Sequence, residues 1–130
     1  MAYRETVWCL DNAEEIVNGV VEEAYVWLNE REILELYVGF NFGGRHQAFC
    51  GRALYLPPGF KHHSIDSCAG HHIYRTLRAG DVERVDKLKG RSMRVAVGNG
   101  LIQGVGHIIY DDRWYFPSAE LIKNEDAKNG

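Results

Sequence analysis

The sequence lacks several features that identify common classes of protein. Only three cysteines and three prolines occur in 130 residues, and the cysteines lie far apart. Their odd number and wide spacing predict reduced thiols in a cytoplasmic protein rather than a disulfide framework. No run of about 18 apolar residues is present, so we expect no membrane span. The first residues contain no basic segment followed by an apolar one, so we also expect no secretory signal.

Sequence motifs of well-known enzymes are missing as well. The chain contains no nucleophile elbow, no Ser-His-Asp order and no Walker loop. The glycine-rich segments Gly98–Gly100 and Gly104–Gly106 are not dinucleotide-binding fingerprints, because no predicted helix follows them. We therefore expect a protein that is not an enzyme and that uses no cofactor.

The strongest structural signal is the pair Asn99-Gly100, which lies between two apolar runs. Both residues tolerate a positive φ, so the pair predicts a two-residue turn in a β-hairpin. The register that follows places Gly98 opposite Leu101, Val97 opposite Ile102, Val95 opposite Gly104 and Met93 opposite Gly106. Large side chains then face bare glycines, a pattern that lets another chain or a flat ligand approach the backbone closely.

The pair Gly43-Gly44 predicts a second hairpin, whose strands cover residues 33–42 and 45–56. Apolar and polar residues alternate before this turn, which indicates a half-buried strand. The two-residue turn places Phe40 opposite Gln47, Val38 opposite Phe49, Leu36 opposite Gly51 and Leu34 opposite Ala53.

The N-terminal segment gives weaker signals. Residues 3–10 favour a short strand or a lead-in, and Asp11-Asn12 predicts the cap of a brief helical turn that ends at Gly19. Residues 20–28 predict a strand that a polar turn joins to the Gly43-Gly44 hairpin.

Between the two hairpins the pattern becomes helical. A helix is predicted from about Gly70, with Ile73 and Leu77 facing the core, and a short helix follows over 81–88. The tail 118–130 is polar and is expected to fray. The fold class is therefore α+β: one domain of 130 residues with an antiparallel sheet built from two glycine-turn hairpins and one or two short helices.

Charge is distributed unevenly along the chain. Residues 1–40 hold nine acids against two arginines, whereas residues 41–117 hold eight arginines and three lysines against six acids. Arginine suits bidentate contact with phosphate and stacking on rings, so Arg75 and Arg78 near the predicted helix start are candidate phosphate ligands. The pattern indicates an anionic ligand or, equally, scattered surface charge. It is too modest for a protein that binds duplex nucleic acid.

Arg113 stands directly before a run of three aromatic residues. A guanidinium and a ring such as Trp114 hold a purine between them, and base stacking is worth about 1–3 kcal/mol. The competing interpretation is that Trp114 and Phe116 fill the core while Arg113 pairs with Asp111.

Four of the six histidines and one cysteine lie within residues 62–72. Three such ligands on zinc would activate a water molecule, as in metal-dependent hydrolases. The spacing matches no recognised zinc arrangement, so a solvated loop is the competing interpretation. Cys50 with His46, or Cys68 with His71, carries no signature of a cysteine nucleophile.

Several short motifs carry a resemblance to a known family. They are Gly43-Gly44, Gln47-Ala48-Phe49-Cys50-Gly51, Leu54, Ile73-Tyr74-Arg75-Thr76-Leu77, Leu88-Lys89-Gly90-Arg91, Arg94-Val95, Gly106-His107-Ile108 and Asp112-Arg113-Trp114-Tyr115-Phe116-Pro117. In this order they resemble the Thoeris anti-defence 1 family of phage proteins, over about residues 21–117. The histidine-rich stretch 62–72 has no counterpart in that family.

The resemblance implies a non-enzymatic sponge, active in the cytoplasm of the bacterial host. It would sequester a small anionic cyclic nucleotide: an isomer of cyclic ADP-ribose or, for some members, a cyclic oligonucleotide. The resemblance also implies a homodimer or a dimer-based hexamer with ligand at subunit interfaces. Adenine would contact Arg113 and an aromatic neighbour, Asn99 would offer polar contacts, and Arg75 or Arg78 would take phosphate. The implied ligand-binding residues are Arg75, Arg78, Asn99, Arg113, Trp114 and Phe49.

Two other classes of function stay open. One is a metal-dependent hydrolase that uses the histidines between His62 and His72. The other is a protein-binding phage inhibitor that uses its acidic N-terminal strands as a contact surface.

Overall fold

The computed structural model describes residues 4–49, 53–55 and 68–120. Its elements in chain order are helix α1 (Arg4–Asp11), strands β1 (Glu15–Leu28), β2 (Leu34–Phe42), β3 (Arg45–Phe49) and β4 (Ala53–Tyr55), helix α2 (Cys68–Gly80), a 3-10 helix (Val85–Lys87), strands β5 (Ser92–Gly98) and β6 (Leu101–Gly106) and a second 3-10 helix (Asp111–Arg113). The α+β class with an antiparallel sheet is confirmed. Among the described residues, no helix combines the length and apolar character needed to cross a bilayer.

The sheet has the strand order β3-β2-β1-β5-β6, and the short β4 pairs with β2. The first three strands follow one another directly, and β5 returns after α2 to lie beside β1, which is a Greek-key connection. Strand β1 serves both halves of the sheet. Its first residues pair with β5 and its later ones with β2, with an irregularity between Val21 and Glu23. Such a bulge bends a strand and increases its twist.

The sheet curls until its two edge strands meet. Strands β3 and β6 are in contact, and the Gln47 side-chain amide donates a hydrogen bond to the Gly100 carbonyl. Within the described residues the two edges share no strand ladder, so the barrel is only partly closed. Helix α2 packs against β4, β5 and β6. Five of the six strands thus form a partly open Greek-key barrel, which is the arrangement of the OB fold.

The inward face of the barrel forms the main core. Leu36, Val38 and Phe40 alternate along β2 and are buried, together with Val95 of β5. As predicted, Ile73 and Leu77 of α2 pack against this cluster. Burial of each large apolar side chain stabilises the fold by about 1.5–3 kcal/mol.

Both predicted hairpin turns are confirmed, but the strand register after Asn99-Gly100 agrees with the prediction only close to the turn. Near Asn99-Gly100 the pairs Val97–Ile102 and Gly98–Leu101 form as predicted. Beyond them, Gly104 faces Ala96, and Val105 faces Val95. The predicted pairs Val95–Gly104 and Met93–Gly106 are therefore wrong, because Gln103 forms a bulge that shifts the register by one residue.

The bulge decides which residues of β6 face the core. It turns Val105 inward and leaves Gly104 and Gly106 on the outer face of the barrel. There the rings of Phe116 and Trp114 lie directly on these two glycines. The close approach that the glycines permit is thus used by the chain's own aromatic side chains.

A second, smaller core covers this outer face of β5 and β6. It contains Ala96, Trp114, Phe116 and Ala119, with residues of α1 packed against it. The prediction of a strand over residues 3–10 was wrong, because Thr6, Cys9 and Leu10 follow helical spacing: Thr6 is buried, and Cys9 and Leu10 pack against this cluster.

Other predictions were also wrong, because strand pairing between residues far apart in the sequence determined the structure and local sequence patterns did not. The predicted helical turn after Asp11-Asn12 is the beginning of β1, since Glu15 pairs with Val97. Ala53 lies opposite Glu35 instead of Leu34, because the ladder between β2 and β4 is irregular. The predicted pair Leu36–Gly51 lies outside the described residues.

The short helix predicted over 81–88 is also smaller than expected. Within residues 81–88 only the 3-10 helix Val85–Lys87 forms, and Arg84 precedes it without a side-chain cap. The tail does not fray over residues 118–120, which continue a helical turn with Ala119 and Glu120 buried. The rest of the tail lies outside the described residues.

Candidate functional site

The six predicted ligand residues fall into separate parts of the barrel. Arg75 lies on α2, where its guanidinium contacts the Glu120 carboxylate at 3.1 and 3.3 Å and donates to the Trp114 carbonyl at 2.6 Å. The Glu120 side chain is only 1% exposed, and His71 Nε2 lies 2.6 Å from the same carboxylate. Arg75 therefore holds the segment after Trp114 against the helix and does not face an open pocket.

Two of the predicted aromatic ligands are core residues. Phe49 and Trp114 are each 4% exposed. The Trp114 ring lies on Gly106, and the Arg94 guanidinium is 5.2 Å from the ring centroid. The interpretation that Trp114 and Phe116 fill the core agrees with this burial.

Asn99 is exposed at the turn between β5 and β6. Its backbone N–H donates to the Glu14 carboxylate at 2.9 Å. It also lines a cavity of about 200 Å³ with Trp8 and Phe116. None of the predicted arginines lines that cavity.

Arg113 and Arg78, in contrast, both lie next to Asp81, which follows α2. Arg113 Nη1 is 2.9 Å from Asp81 Oδ1, so the predicted pair of Arg113 with Asp111 does not form. Asp111 pairs with Arg94 instead, with 2.7 Å between Asp111 Oδ1 and Arg94 Nη2. Arg78 and Asp81 line the same surface groove, which has a volume of about 240 Å³.

Two further groups approach the same carboxylate. Arg91 Nη2 and His107 Nε2 lie 3.9 and 3.6 Å from Asp81 Oδ2. A second contact fixes the Arg91 side chain, because its Nε donates a hydrogen bond to the Gly80 carbonyl at 3.1 Å. We call the set of Arg78, Asp81, Arg91, His107, Tyr110 and Arg113 the Asp81 cluster.

The backbone places the Asp81 carboxylate at the centre of this cluster. Asp81 has φ 58°, in the left-handed region, where aspartate is tolerated better than most residues. Its N–H donates to the Arg78 carbonyl at 3.2 Å, which closes the last turn of α2. The helix end therefore turns sharply and directs the carboxylate to Arg91, which directly precedes β5, and to side chains of the segment after β6.

His107 and Tyr110 complete the cluster. His107 Nδ1 accepts hydrogen bonds from the N–H groups of Ile109 and Tyr110, at 2.9 and 3.1 Å. These bonds leave Nε2, which faces Asp81, as the protonated nitrogen of the neutral ring. The Tyr110 ring lies 4.6 Å from the His107 ring and 5.0 Å from the Arg113 guanidinium.

The electrostatics of the cluster favour an additional anion. The hydrogen bond from Arg113 lowers the pKa of Asp81, and His107 acts in the same direction. Arg91 and Arg113 both lie within 4 Å of the Asp81 carboxylate, so two guanidinium groups share this one acid. Among the described residues, the Arg78 side chain has no hydrogen bond or ion pair, so its guanidinium is available to a ligand.

The histidine-rich stretch is only partly described. His71 contacts Glu120, whereas His72 is buried, with Nδ1 2.6 Å from the Tyr115 hydroxyl. Within the described residues no three potential metal ligands come together. His62, His63, Cys50 and the Cys68 side chain lie outside the described part, so the proposed metal and thiol sites there are not tested.

Sequence reasoning singled out Arg78 and Arg113 but missed the residues that join them. Asp81, Arg91, His107 and Tyr110 are separated by up to 29 positions in the chain. Only the fold brings them together. The one local signal was an aspartate directly after a predicted helix end at Gly80.

Comparison of the chain with protein-family models, with curated proteins and with solved structures found no match. The resemblance to the anti-defence family thus gains no support from these comparisons, and it stays a prediction.

Proposed function

We propose that this protein is a non-enzymatic binding protein that captures a small anionic nucleotide at the Asp81 cluster and releases it unchanged. The observation that carries the proposal is the approach of Arg91 and Arg113 to a single carboxylate, Asp81, beside an exposed tyrosine ring and a groove that Asp81 and Arg78 both line.

The cluster offers the two kinds of contact that a nucleotide needs. Guanidinium groups form charge-assisted, often bidentate hydrogen bonds with phosphate. Tyr110 is 52% exposed and is already oriented by Arg113 and His107, so its ring can stack on a base. In this arrangement Asp81 positions the arginines, and Arg78 supplies the guanidinium that meets the ligand first.

The barrel supports a binding role in a general way. OB folds bind oligonucleotides and oligosaccharides on their outer surface, although a fold by itself does not assign a function. The resemblance to anti-defence proteins makes cyclic ADP-ribose isomers and cyclic oligonucleotides the first ligands to test. It also extends the proposal to a phage protein that acts as a homo-oligomer in the host cytoplasm.

The proposal is tested by thermal shift and calorimetry with cyclic ADP-ribose isomers, cyclic dinucleotides and ADP, with sulfate as a simple-anion control. At a ligand concentration 100 times Kd, the protein is stabilised by about 2.7 kcal/mol. Arg78→Gln should weaken binding about tenfold or more without loss of stability, since Arg78 has no described partner. Arg84→Gln is the matched control, because within the described part of the chain this exposed arginine pairs only with Asp86.

Recovery of the ligand after denaturation, followed by mass spectrometry, distinguishes a sponge from an enzyme. An unchanged nucleotide supports the proposal, and a cleaved one overturns it. The proposal also fails if no nucleotide shifts the melting temperature, or if Arg78→Gln and Tyr110→Ala bind as tightly as the original chain.

A further inference from the structure

The outer face of β1 and β2 carries a second, separate surface with exposed aromatic rings. Tyr25 and Trp27 are each 37% exposed. Tyr25 lies opposite Tyr37, and Trp27 lies opposite Glu35, in the ladder between the two strands. We call Tyr25, Trp27, Tyr37, Glu22, Glu23 and Glu35 the aromatic–acidic face. None of these residues belongs to the Asp81 cluster.

The rings of this face are arranged as a platform. Tyr25 and Tyr37 are stacked, with centroids 4.9 Å apart and an interplanar angle of 11°. Trp27 meets Tyr25 edge-on at 5.9 Å. The Trp27 indole N–H donates to the Glu35 carboxylate at 2.9 Å, which fixes the orientation of the ring. The Tyr37 ring lies over Gly39, where an added Cβ would come within 3.1 Å of it.

Carboxylates border the platform. Glu22, Glu23, Tyr37 and Gly39 line a cavity of about 340 Å³, which is within the size range of ligand sites. Glu22 lies 2.7 Å from His46. Glu23 has no hydrogen bond or ion pair among the described residues, so its charge is not neutralised there.

We propose that this face binds an arginine- or lysine-rich segment of a partner protein. Charge complementarity selects that occupant. A guanidinium or ammonium is attracted to the faces of tyrosine and tryptophan rings, and the neighbouring carboxylates add charge-assisted hydrogen bonds. The same carboxylates repel phosphate, so nucleic acid is disfavoured on this part of the barrel. This proposal does not depend on nucleotide binding at the Asp81 cluster.

The experiment uses the full chain and a hexa-arginine peptide, with a hexaglutamate peptide, single-stranded DNA and a neutral hexasaccharide as comparison ligands. Binding is followed through the indole N–H signals in two-dimensional NMR. The chain has three tryptophans. Trp27 belongs to the proposed face, whereas Trp114 is buried in the second core and serves as the internal reference. Trp8, which is 65% exposed and lies outside the proposed face, shows whether hexa-arginine contacts exposed indole rings in general.

We expect hexa-arginine to shift the Trp27 signal in a saturable way that weakens with salt, and to leave Trp8 and Trp114 unchanged. The double variant E22Q/E23Q should weaken binding about tenfold, a loss of about 1.4 kcal/mol. The variant D86N/D112N removes the same charge from exposed positions elsewhere and should weaken binding less than about threefold.

The aromatic contribution is tested separately. Tyr37→Phe keeps the stacked ring and should bind like the original chain, whereas Tyr37→Leu should weaken binding about threefold to tenfold. Melting curves of both variants show whether a loss of binding reflects unfolding instead.

Several outcomes would overturn the proposal. They are a Trp27 signal that does not respond to hexa-arginine, equal losses in the E22Q/E23Q and D86N/D112N variants, and a stronger response to the hexasaccharide or to DNA. The nucleotide experiments on Arg78 leave this result unaffected, so the two proposals fail or succeed independently.

Discussion

The Phe116 ring lies on the backbone of Gly104 so closely that a Cβ added to Gly104 would come within 2.6 Å of it. The neighbouring pair is built in the same way, since a Cβ on Gly106 would meet the Trp114 ring at 2.6 Å. These two glycines therefore allow aromatic rings of the same chain to pack directly on the backbone. The bulge at Gln103 is what presents them to the rings.

The first prediction follows from this contact. Gly104→Ala should destabilise the fold by about 1–3 kcal/mol, because a methyl group added to a well-packed site forces the ring or the strand to move. Urea denaturation measures the loss. Gly70→Ala is the control, since among the described residues nothing lies within 4 Å of its added Cβ, and alanine favours the helix.

A second variant distinguishes the ring contact from a general effect on β6. The double variant Gly104→Ala, Phe116→Leu should cost less than the sum of the two single changes, because the smaller side chain makes room for the methyl group. Strict additivity would contradict the packing explanation.

The hairpins show how much of the fold the sequence predicts. Asn99-Gly100 and Gly43-Gly44 were located correctly because positive φ at a two-residue turn is a local requirement. The register beyond Val97 was predicted incorrectly, since nothing in the sequence near Gln103 indicates a bulge. Its position follows from the need to bury Val105 and to seat Phe116 on Gly104.

In the helices, too, some features follow from the local sequence and others do not. The face of α2 with Ile73 and Leu77 follows from their spacing, whereas α1 was mistaken for a strand because its apolar residues are consecutive. For the candidate site, Arg78 and Arg113 were predicted from residue type alone. Arg75 has the same chemistry but is taken by Glu120, 45 positions away, which no local pattern indicates.

The second prediction concerns the stability of the fold at acidic pH. The pKa of Asp81 is lowered from its ordinary value of 3.8, chiefly by the hydrogen bond from Arg113. The bond therefore contributes stability that is fully present above pH 3.8 and is lost as the pH falls through the lowered value. Urea denaturation from pH 6 to pH 2.5 should show the original chain losing its advantage over Asp81→Asn in that window.

Asparagine tolerates the left-handed backbone at this position, so the Asp81→Asn variant removes the charge without a new strain. Arg113→Gln should remove the same contribution, and the two changes together should be less than additive. Since the carboxylate is half-exposed, 1 M NaCl should also reduce the difference. A gap between the two curves that stays constant with pH would contradict the assignment.

The third prediction concerns the turn between β1 and β2. Glu32 has φ 62°, a conformation that costs most L-residues about 1–2 kcal/mol. Glu32→Asn should raise stability by about 0.5 kcal/mol, because asparagine adopts this conformation more readily. Glu30→Asn in the same turn is the matched control, since Glu30 lies outside the left-handed region. An equal effect of the two changes on the urea midpoint would show that charge, and not backbone conformation, is responsible.

The fourth prediction concerns the buried ion pair of Arg75 and Glu120, whose side chains are 16% and 1% exposed. Glu120→Ala should destabilise the fold by about 3–5 kcal/mol, because it leaves the mostly buried Arg75 guanidinium without its carboxylate. The double variant Arg75→Met, Glu120→Leu should be more stable than Glu120→Ala, since apolar residues of similar size avoid an unpaired buried charge. Arg84→Ala, which breaks only an exposed pair with Asp86, should cost less than about 1 kcal/mol. If Glu120→Ala were no more costly than Arg84→Ala, residues 118–120 would not be held against α2, and Arg75 would be free to bind the phosphate first predicted for it.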